Sequence, residues 1–338
     1  MELRVNNVNQ AFSEIFWKFR VLDLPPEQTR NGPAIVYPEM VTTIYKFPDQ
    51  RVLFHEGRDA NPIFHLMESI WMLAGRRDVS FLKQFNKRMA DFSDDGINFN
   101  AAYGYRWRHH FGSDQLVKCI HHLRGNPGTR QAVIQIWDAE DLVKETIDKA
   151  CNTQIIFSRG IDGKLDMTVF NRSNDIWWGA YGANAVHFSF LHEFISRSVS
   201  IPLGEYRQVS NNFHFYTDLY DVSTYFDSPP DTSDYDHYGR GVTPYPIMDN
   251  SDYKGFLEEC ERFCDDPFQI GSTDVASGYK KYKHAFFTDV AIPMAQVAYE
   301  RKTWPWKSEV SNGMEQASHI KASDWRLAVE QWIKRRQK

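Results

Sequence analysis

The chain has 338 residues, of which 42% are hydrophobic, and carries a formal net charge of −5 at pH 7. This composition allows a sizeable core, and the slightly acidic balance argues against a general electrostatic attraction to nucleic acid. No apolar stretch approaches the roughly 20 residues that a membrane-spanning helix needs. The amino-terminal segment MELRVNNVNQAF lacks the charged-then-apolar order of a secretory signal. We therefore expect a cytoplasmic protein with no membrane and no nucleic-acid partner.

The four cysteines, Cys119, Cys151, Cys260 and Cys264, are too few and too irregularly spaced for a disulfide framework in a chain of this length. The segment CERFC, residues 260–264, places two of them one turn apart on a predicted helix. No second Cys or His pair follows at the spacing of a zinc site. We interpret this segment as a buried helix face and predict no metal site.

The predicted elements begin with a helix over residues 65–75, HLMESIWMLAG, in which Leu66 and Ile70 lie on one face before a terminal glycine. A second helix is predicted within residues 114–130, where it runs from an aspartate cap to the break at GNPG. Residues 131–137, QAVIQIW, are rich in β-branched side chains and predict a strand.

Two further strands, 153–159 and 165–172, are joined by GIDGK, in which Asp-Gly is a hairpin signal. A helix with an unusually aromatic face is predicted over residues 184–200. Residues 208–220 predict a strand or a strand–helix junction. This sequence of elements mixes helices with antiparallel strands, which is typical of the α+β class.

The last third of the chain changes in character. Residues 226–236, FDSPPDTSDYD, predict a polar loop insertion at the surface. Residues 322–336, ASDWRLAVEQWIKRR, predict a capped amphipathic helix within a divergent helical extension over residues 300–338. Because no long linker separates these segments, we expect a single α+β domain spanning residues 1–338.

Polar residues between Cys151 and Tyr216 cluster where the predicted strands and helices end. Arginines beside a serine hydroxyl suit a dianionic phosphate, and an asparagine amide matches one edge of a pyrimidine base. A cysteine thiolate can add to an electron-poor double bond. Together these residues suggest a nucleotide monophosphate held for attack on its ring. Each also has a structural explanation, as a core cysteine, a surface ion-pair arginine, a helix-cap asparagine or a strand histidine.

Several segments, in order along the chain, resemble the thymidylate synthase family and its pyrimidine C5-hydroxymethylase relatives. They are TRNG (29–32), MESIWMLAG (67–75), AYGYRWR (102–108), NRSND followed by a glycine and an asparagine (171–184), and HFY (214–216). The likeness covers roughly residues 25–225. It implies a mixed sheet packed against helices, with two such sheets back to back in a homodimer.

The resemblance implies that Cys151 adds to C6 of the pyrimidine, so that C5 attacks the one-carbon unit of methylenetetrahydrofolate. Arg172 would bind phosphate and lower the pKa of the thiol, and Glu68 would form a proton network with Tyr103. The resemblance also implies that Arg30 and Ser173, together with Arg130 from the other subunit, bind the phosphate. Asn184 would bind the base, and His214 and Tyr216 the sugar. The residues implied for folate are Asp175, Trp177, Trp178 and Gly179.

Some positions depart from the family pattern. Residues 150–152 are Ala-Cys-Asn in place of Pro-Cys-His, Arg130 lacks the usual second arginine, and an extra residue makes Ala183 compete with Asn184 for the base-reading register. Met89 stands where synthases carry a shielding tryptophan, and EQWIKRRQK replaces their closing tail. Both devices exclude water from a reactive methylene. We therefore expect hydroxymethylation, with thymidylate synthesis as the alternative.

Two other classes of function, a hydrolase and a non-catalytic binding module, fit the sequence less well. A Cys-His-Asn hydrolase built on Cys151 predicts acyl transfer without folate, but it leaves the phosphate-binding residues without a purpose. A non-catalytic nucleotide-binding or RNA-binding module conflicts with the acidic balance and with the intact cysteine. The choice between uracil and cytosine stays open at this point, because an asparagine amide can rotate by half a turn and exchange its donor and acceptor.

Overall fold

The computed structural model describes residues 1–218, 235–268, 281–303 and 310–336. The strands in these ranges are β1 Glu2–Val5, β2 Glu27–Thr29, β3 Gly32–Val36, β4 Val41–Tyr45, β5 Val133–Gln135, β6 Asn152–Arg159, β7 Leu165–Asp175 and β8 Leu203–Tyr216. They form one mixed sheet in the order β1-β4-β8-β7-β6-β5, with β3 also paired to β8 and β2 to β3. Because β7 and β8 run parallel, their carboxyl ends meet at one edge of the sheet.

Helices cover one side of the sheet and extend beyond it. Their bounds are α1 Val8–Leu22, α2 Pro62–Leu73, α3 Val79–Lys83, α4 Gln115–Gly125, α5 Asn184–Val199, α6 Tyr253–Asp265, α7 Ile292–Thr303, α8 Val310–Ser318 and α9 Ser323–Arg335. Two shorter helical segments matter for the site, Tyr103–Tyr105 continuing as Arg106–His110, and Ile176–Ala183. Helix α2 is central, because α5, α6, α7 and α9 all contact it. Among the described helices, none has both the length and the apolar character needed to cross a membrane.

Local sequence signals explain where the main elements start. The side chain of Asn61 accepts a hydrogen bond from the backbone of Phe64 and so caps α2, which also has proline in its first turn. Asp114 caps α4 in the same way. The β6–β7 hairpin turns at Gly163, whose φ of +82° suits glycine.

The two faces of the sheet differ in burial. Ile155, Phe157, Met167 and Val169 point into the helical layer and are fully buried. The side chains that alternate with them along the strands include Phe170, and they are only half-buried. The described part of the chain therefore leaves a partly apolar sheet face in contact with solvent.

Most predicted elements are confirmed. The three helices predicted within residues 65–75, 114–130 and 184–200 are present, as are the hairpin strands and the α+β class. The strand predicted over residues 208–220 is present, but it begins earlier, at Leu203, because residues 203–207 pair with β4 and β7. Most of the predicted loop 226–236 lies outside the described residues.

Two predictions concern the helices of the second half. The cysteines of CERFC lie on the buried face of α6, with Cys260 0% and Cys264 4% exposed, so that prediction is confirmed. The predicted carboxy-terminal helix is present as α9, but the side-chain cap is wrong, because Ala322 occupies the cap position. The Asp324 carboxylate instead turns inward and accepts a hydrogen bond from Tyr238.

Candidate active site

Cys151 lies immediately before β6 and is half-buried. Its Sγ is 3.9 Å from Nη2 of Arg172 on the neighbouring strand β7. The two strands fix this pair, because the backbone N–H of Arg172 donates to the carbonyl of Cys151 at 2.9 Å. The guanidinium also donates through Nε to the Ala150 carbonyl at 2.8 Å. The structure thus brings together the thiol and the arginine that the sequence placed at opposite ends of two strands.

Burial raises the pKa of the Cys151 thiol above its ordinary value. Arg172 and, less strongly, Arg30 oppose this rise, whereas Asp148 and Asp175 add to it. Arg172 therefore acts in the expected direction, but burial has the larger effect. A thiol in this environment must lose its proton to a base before it can attack a carbon atom.

Tyr103 connects the thiol to a neighbouring cavity. Its hydroxyl accepts a hydrogen bond from the backbone N–H of Cys151 at 3.3 Å, and burial raises its pKa. The next residue, Gly104, lies so close to α2 that a Cβ would overlap the carbonyl of Met72. A side chain at this position would push Tyr103 away from Cys151.

The Tyr103 segment is held in place by a buried ion pair between Arg106 and Asp141, whose side chains are 1% and 3% exposed. Nη2 of Arg106 donates to Asp141 at 2.8 Å, and its Nη1 donates to the Ile136 carbonyl at 2.9 Å. Although burial alone would raise the pKa of Asp141, hydrogen bonds from Arg106 hold it below its usual value.

A cavity of about 360 Å³ lies next to Tyr103, between α2, α5 and the segment before α5. Glu68 and Asn184 line it together with His187 and Met89. Burial raises the pKa of Glu68 to about 8. A carboxyl group with this pKa can both release and accept a proton near neutral pH, as general acid–base chemistry requires.

A chain of buried amides fixes the orientation of Asn184. Gln208 donates through Nε2 to the Ala180 carbonyl at 3.1 Å, so its amide oxygen faces Asn174. Nδ2 of Asn174 donates to that oxygen and, at 2.9 Å, to the hydroxyl of Ser210. The Asn174 oxygen is then left to accept from Asn184 Nδ2 at 3.0 Å. Asn184 is therefore not the N-cap of α5. Its Oδ1 and the second N–H of its Nδ2 are the groups that this chain of amides leaves available.

The predicted phosphate and sugar residues gather at the carboxyl ends of β7 and β8. Ser173 and Asp175 pair with Asn212 and His214 in the parallel ladder. The rings of His214 and Tyr216 meet edge to face with 5.1 Å between their centroids.

The turn that carries Arg30 reaches the same edge, because Asn31 Nδ2 donates to the hydroxyl of Tyr216 at 3.2 Å. Arg130 is different. It is exposed and precedes β5, whose first residue, Val133, pairs with Ile156, five residues along β6 from Cys151. The structure therefore does not bring Arg130 to the site of its own chain.

The four residues expected at folate separate into different environments. Oδ2 of Asp175 caps the segment Ile176–Ala183 by accepting from the backbone of Trp178 at 2.5 Å, and Oδ1 is buried without a hydrogen-bond partner in the described ranges. Trp178 is 45% exposed and lines the cavity. Gly179 has no room for a side chain, because a Cβ would overlap the Asn174 oxygen.

Trp177 requires a correction. Its ring is only 2% exposed and packs edge to face against Phe12 and Phe16, with centroid distances of 5.2 and 5.6 Å. This tryptophan belongs to the core beneath α1 and does not line the cavity with Trp178, so its assignment to folate is wrong.

The chain is similar to known proteins over most of its length. The thymidylate synthase family model matches residues 59–226. A protein of Pseudomonas phage M6 named deoxyuridylate hydroxymethyltransferase is 43% identical over 343 residues, which cover 99% of this chain and 94% of that protein. The chain belongs to the thymidylate synthase family.

Two other matches are less extensive. A protein of Bacillus phage SP01, also named deoxyuridylate hydroxymethyltransferase, is 40% identical over 52% of this chain and 49% of its own length. The crystal structure of thymidylate synthase from T4 phage matches with a TM-score of 0.50 and 18% identity, over 63% of this chain and 78% of that one. That structural likeness concerns the fold alone.

Two features of this thymidylate synthase family member bear on the exclusion of water from the cavity. Met89 lines the cavity. Helix α9 packs against α2, and its Trp325 and Trp332 are each 3% exposed. In the described part of the chain, the cavity lining includes no residue of α9. The carboxy-terminal helix therefore does not replace the closing tail as a cover.

Sequence reasoning missed three residues of this site: Asn174, His187 and Gln208. His187 lies three residues after Asn184 on α5, which is the spacing of one helix face, so its position could have been inferred from the base-reading residue. The other two are far apart in sequence and meet only through the parallel pairing of β7 and β8.

Proposed function

We propose that the protein transfers the one-carbon unit of methylenetetrahydrofolate to C5 of dUMP and forms 5-hydroxymethyl-dUMP through a covalent bond between Cys151 and C6. The observation that carries this proposal is the convergence of Tyr103, Glu68 and Asn184 around one cavity, with Cys151 hydrogen-bonded through its backbone to Tyr103. The near-full-length identity of 43% to a protein named deoxyuridylate hydroxymethyltransferase supports it.

In the proposed reaction, Sγ of Cys151 attacks C6 after its proton has left, and the ring electrons move to C5. The Arg172 guanidinium, 3.9 Å away, stabilises the thiolate. Methylenetetrahydrofolate supplies the one-carbon unit. Glu68, with a pKa of about 8, exchanges protons in the cavity. Loss of the Cys151–C6 bond completes turnover.

The amide chain through Asn174 and Gln208 supports uracil as the base. It leaves Oδ1 of Asn184 to face the substrate, and an amide oxygen only accepts hydrogen bonds. Uracil presents N3–H, a donor, whereas N3 of cytosine carries a lone pair that would oppose the oxygen. A buried polar site of this kind can discriminate strongly against a base that leaves it unpaired.

The folate site is proposed at Trp178 and Asp175. The exposed indole offers a flat surface for an aromatic ring, and the buried Oδ1 of Asp175 offers an acceptor for ring N–H donors. Gly179 keeps the segment close to Asn174. We withdraw Trp177 from this set, because its ring is in the core.

Water is proposed as the final nucleophile because, among the residues that the structure describes, neither shield covers the cavity. A methionine lines the cavity at position 89, and α9 does not cover it. Hydride transfer from folate, which would give thymidylate, needs the ligand held closely after the carbon transfer. Thymidylate synthesis remains the alternative product of the same adduct.

The decisive experiment incubates the protein with methylenetetrahydrofolate and dUMP, dCMP, UMP or CMP, and identifies products by mass. We expect 5-hydroxymethyl-dUMP from dUMP, with at least about 10²-fold lower kcat/KM for dCMP. UMP should also be a poorer substrate, because Arg30, Arg172 and Ser173 fix the phosphate and leave little freedom to lift the sugar for a 2′-hydroxyl. Thymidylate with matching dihydrofolate would make the protein a synthase.

We also propose a homodimer in which Arg130 serves the phosphate of the other subunit. The half-buried sheet face and the distance of Arg130 from its own Cys151 support this arrangement. Mixing inactive Cys151→Ser and Arg130→Ala subunits should restore about a quarter of wild-type activity, since half of the dimers are hybrids with one intact site. No recovery after demonstrated subunit exchange would contradict shared sites.

A further inference from the structure

His187 is a buried histidine in the cavity to which the mechanism above gives no role. It lies on α5, is 5% exposed and lines the cavity with Glu68 and Asn184. Its Nε2 is 3.2 Å from Oε2 of Glu68. Despite this short distance, Nε2 makes no hydrogen bond within the described ranges. A buried ring nitrogen without a partner is uncommon and calls for a ligand.

The tautomer of the ring follows from its other contact. The backbone of His65 favours the protonated form of the ring, as a carbonyl facing a ring N–H does. Because Nε2 faces the Glu68 carboxyl instead, we assign the proton of the neutral ring to Nδ1. Nε2 then has a lone pair. Burial lowers the pKa of His187 to about 3, so the ring is neutral near pH 7. The cavity therefore presents an acceptor nitrogen next to a carboxyl group.

We propose that Nε2 of His187 accepts a hydrogen bond from the water molecule that attacks the methylene group on C5, and that His187 and Glu68 together take its proton. This inference rests on the proposed hydroxymethylation. It assigns the water-binding role to a residue three positions beyond the base-reading Asn184. One turn of helix therefore places both groups toward the same pyrimidine.

The step balances as follows. The water oxygen forms a bond to the exocyclic methylene carbon, and the carbon–carbon π electrons move onto C5 and the C4 carbonyl. These electrons return to form the C5–C6 double bond, and the C6–S bond breaks to release the Cys151 thiolate. The water proton passes to the His187–Glu68 pair, in which Glu68 enters the step as a carboxylate. That proton is then available to the released thiolate.

The test separates the loss of the C5 hydrogen, which tritium release reports, from the later attack of water on the methylene group. His187→Asn keeps a donor where Nδ1 was but removes the acceptor at Nε2. With [5-³H]dUMP and methylenetetrahydrofolate in single turnover, tritium release should stay within about threefold of wild type. Formation of 5-hydroxymethyl-dUMP should slow by about 10²-fold or more, the contribution of a positioned acid–base group. The protein–nucleotide adduct should accumulate in the intact mass.

His192→Asn is the matched control, because His192 lies on the same helix, is fully buried and has its Nε2 2.7 Å from the Leu165 carbonyl instead of in the cavity. In His192→Asn, tritium release and product formation should proceed at matching rates. If His187→Asn does not fold, His187→Leu, which also lacks an acceptor at the Nε2 position, must show the same separation of release from product.

Product formation by the wild-type protein shows whether a negative result concerns the proposed function or only the role of His187. If wild type makes no hydroxymethyl product, the proposed function fails. If wild type makes it and His187→Asn forms it equally fast, or loses release and product together, the role of His187 fails.

Discussion

Cys151→Ser is expected to lower kcat by at least about 10⁴-fold and to leave dUMP binding within about threefold of wild type. Serine has nearly the same shape, but its hydroxyl is a far weaker nucleophile near neutral pH. Enzymes supply accelerations of about 10⁶-fold or more, so loss of the covalent step removes most of the catalysis. The phosphate contacts proposed for Arg30, Arg172 and Ser173 do not involve the thiol.

The measurement pairs product formation with equilibrium binding of dUMP. Cys119→Ala is the control, because Cys119 is a cysteine with no part in the site: it is 3% exposed and lies on α4 away from the cavity. It should retain kcat within about threefold. A Cys151→Ser rate above about a hundredth of wild type would remove Cys151 from the mechanism.

The proximity of thiol and guanidinium was predictable because it depends on local pairing. The Asp-Gly turn predicts the β6–β7 hairpin, and an antiparallel hairpin places the residue before one strand beside the end of the other. Cys151 and Arg172 therefore meet for reasons visible in about two dozen residues. The net pKa of the thiol was not predictable in this way, because it depends on burial by the surrounding chain.

The adjacent tryptophans show where sequence reasoning fails. Trp177 and Trp178 follow each other in a helical segment that is interrupted at Tyr181 and Gly182. No regular period assigns one ring to the core and the next to the cavity. Their separation is set by Phe12 and Phe16 of α1, more than 150 residues earlier in the sequence. Such long-range packing leaves no local signal.

His187 was missed for a related reason. Helix α5 is buried on nearly all sides, so a histidine within it looks like any other core residue in the sequence. Its spacing from Asn184 predicts which helix face it occupies, but its chemical role becomes visible only from the cavity and the position of Glu68 on α2. The amide chain likewise depends on β7 and β8 lying parallel, and parallel pairing joins segments that are distant in sequence.

Asp141→Ala is expected to destabilise the protein by about 3–5 kcal/mol, because it leaves the charge of Arg106 buried without its partner. Arg106 is 1% exposed and cannot turn its guanidinium into water without opening the segment that carries Tyr103. Two backbone carbonyls still accept from it, at Ile136 and Asn100, but neutral acceptors do not balance a buried charge. Activity should fall with stability, since Tyr103 contacts the backbone of Cys151.

Urea denaturation of Asp141→Ala and wild type gives the change in unfolding free energy from the midpoints and slopes. Asp162→Ala is the control, because its ion pair with Lys164 is about half-exposed on both sides and exposed ion pairs contribute little to stability. A second variant, Arg106→Met with Asp141→Ala, removes the stranded charge and should recover part of the loss. The buried pair does not hold the Tyr103 segment if Asp141→Ala lowers the free energy of unfolding by no more than Asp162→Ala does. The same conclusion follows if the double variant is less stable than Asp141→Ala.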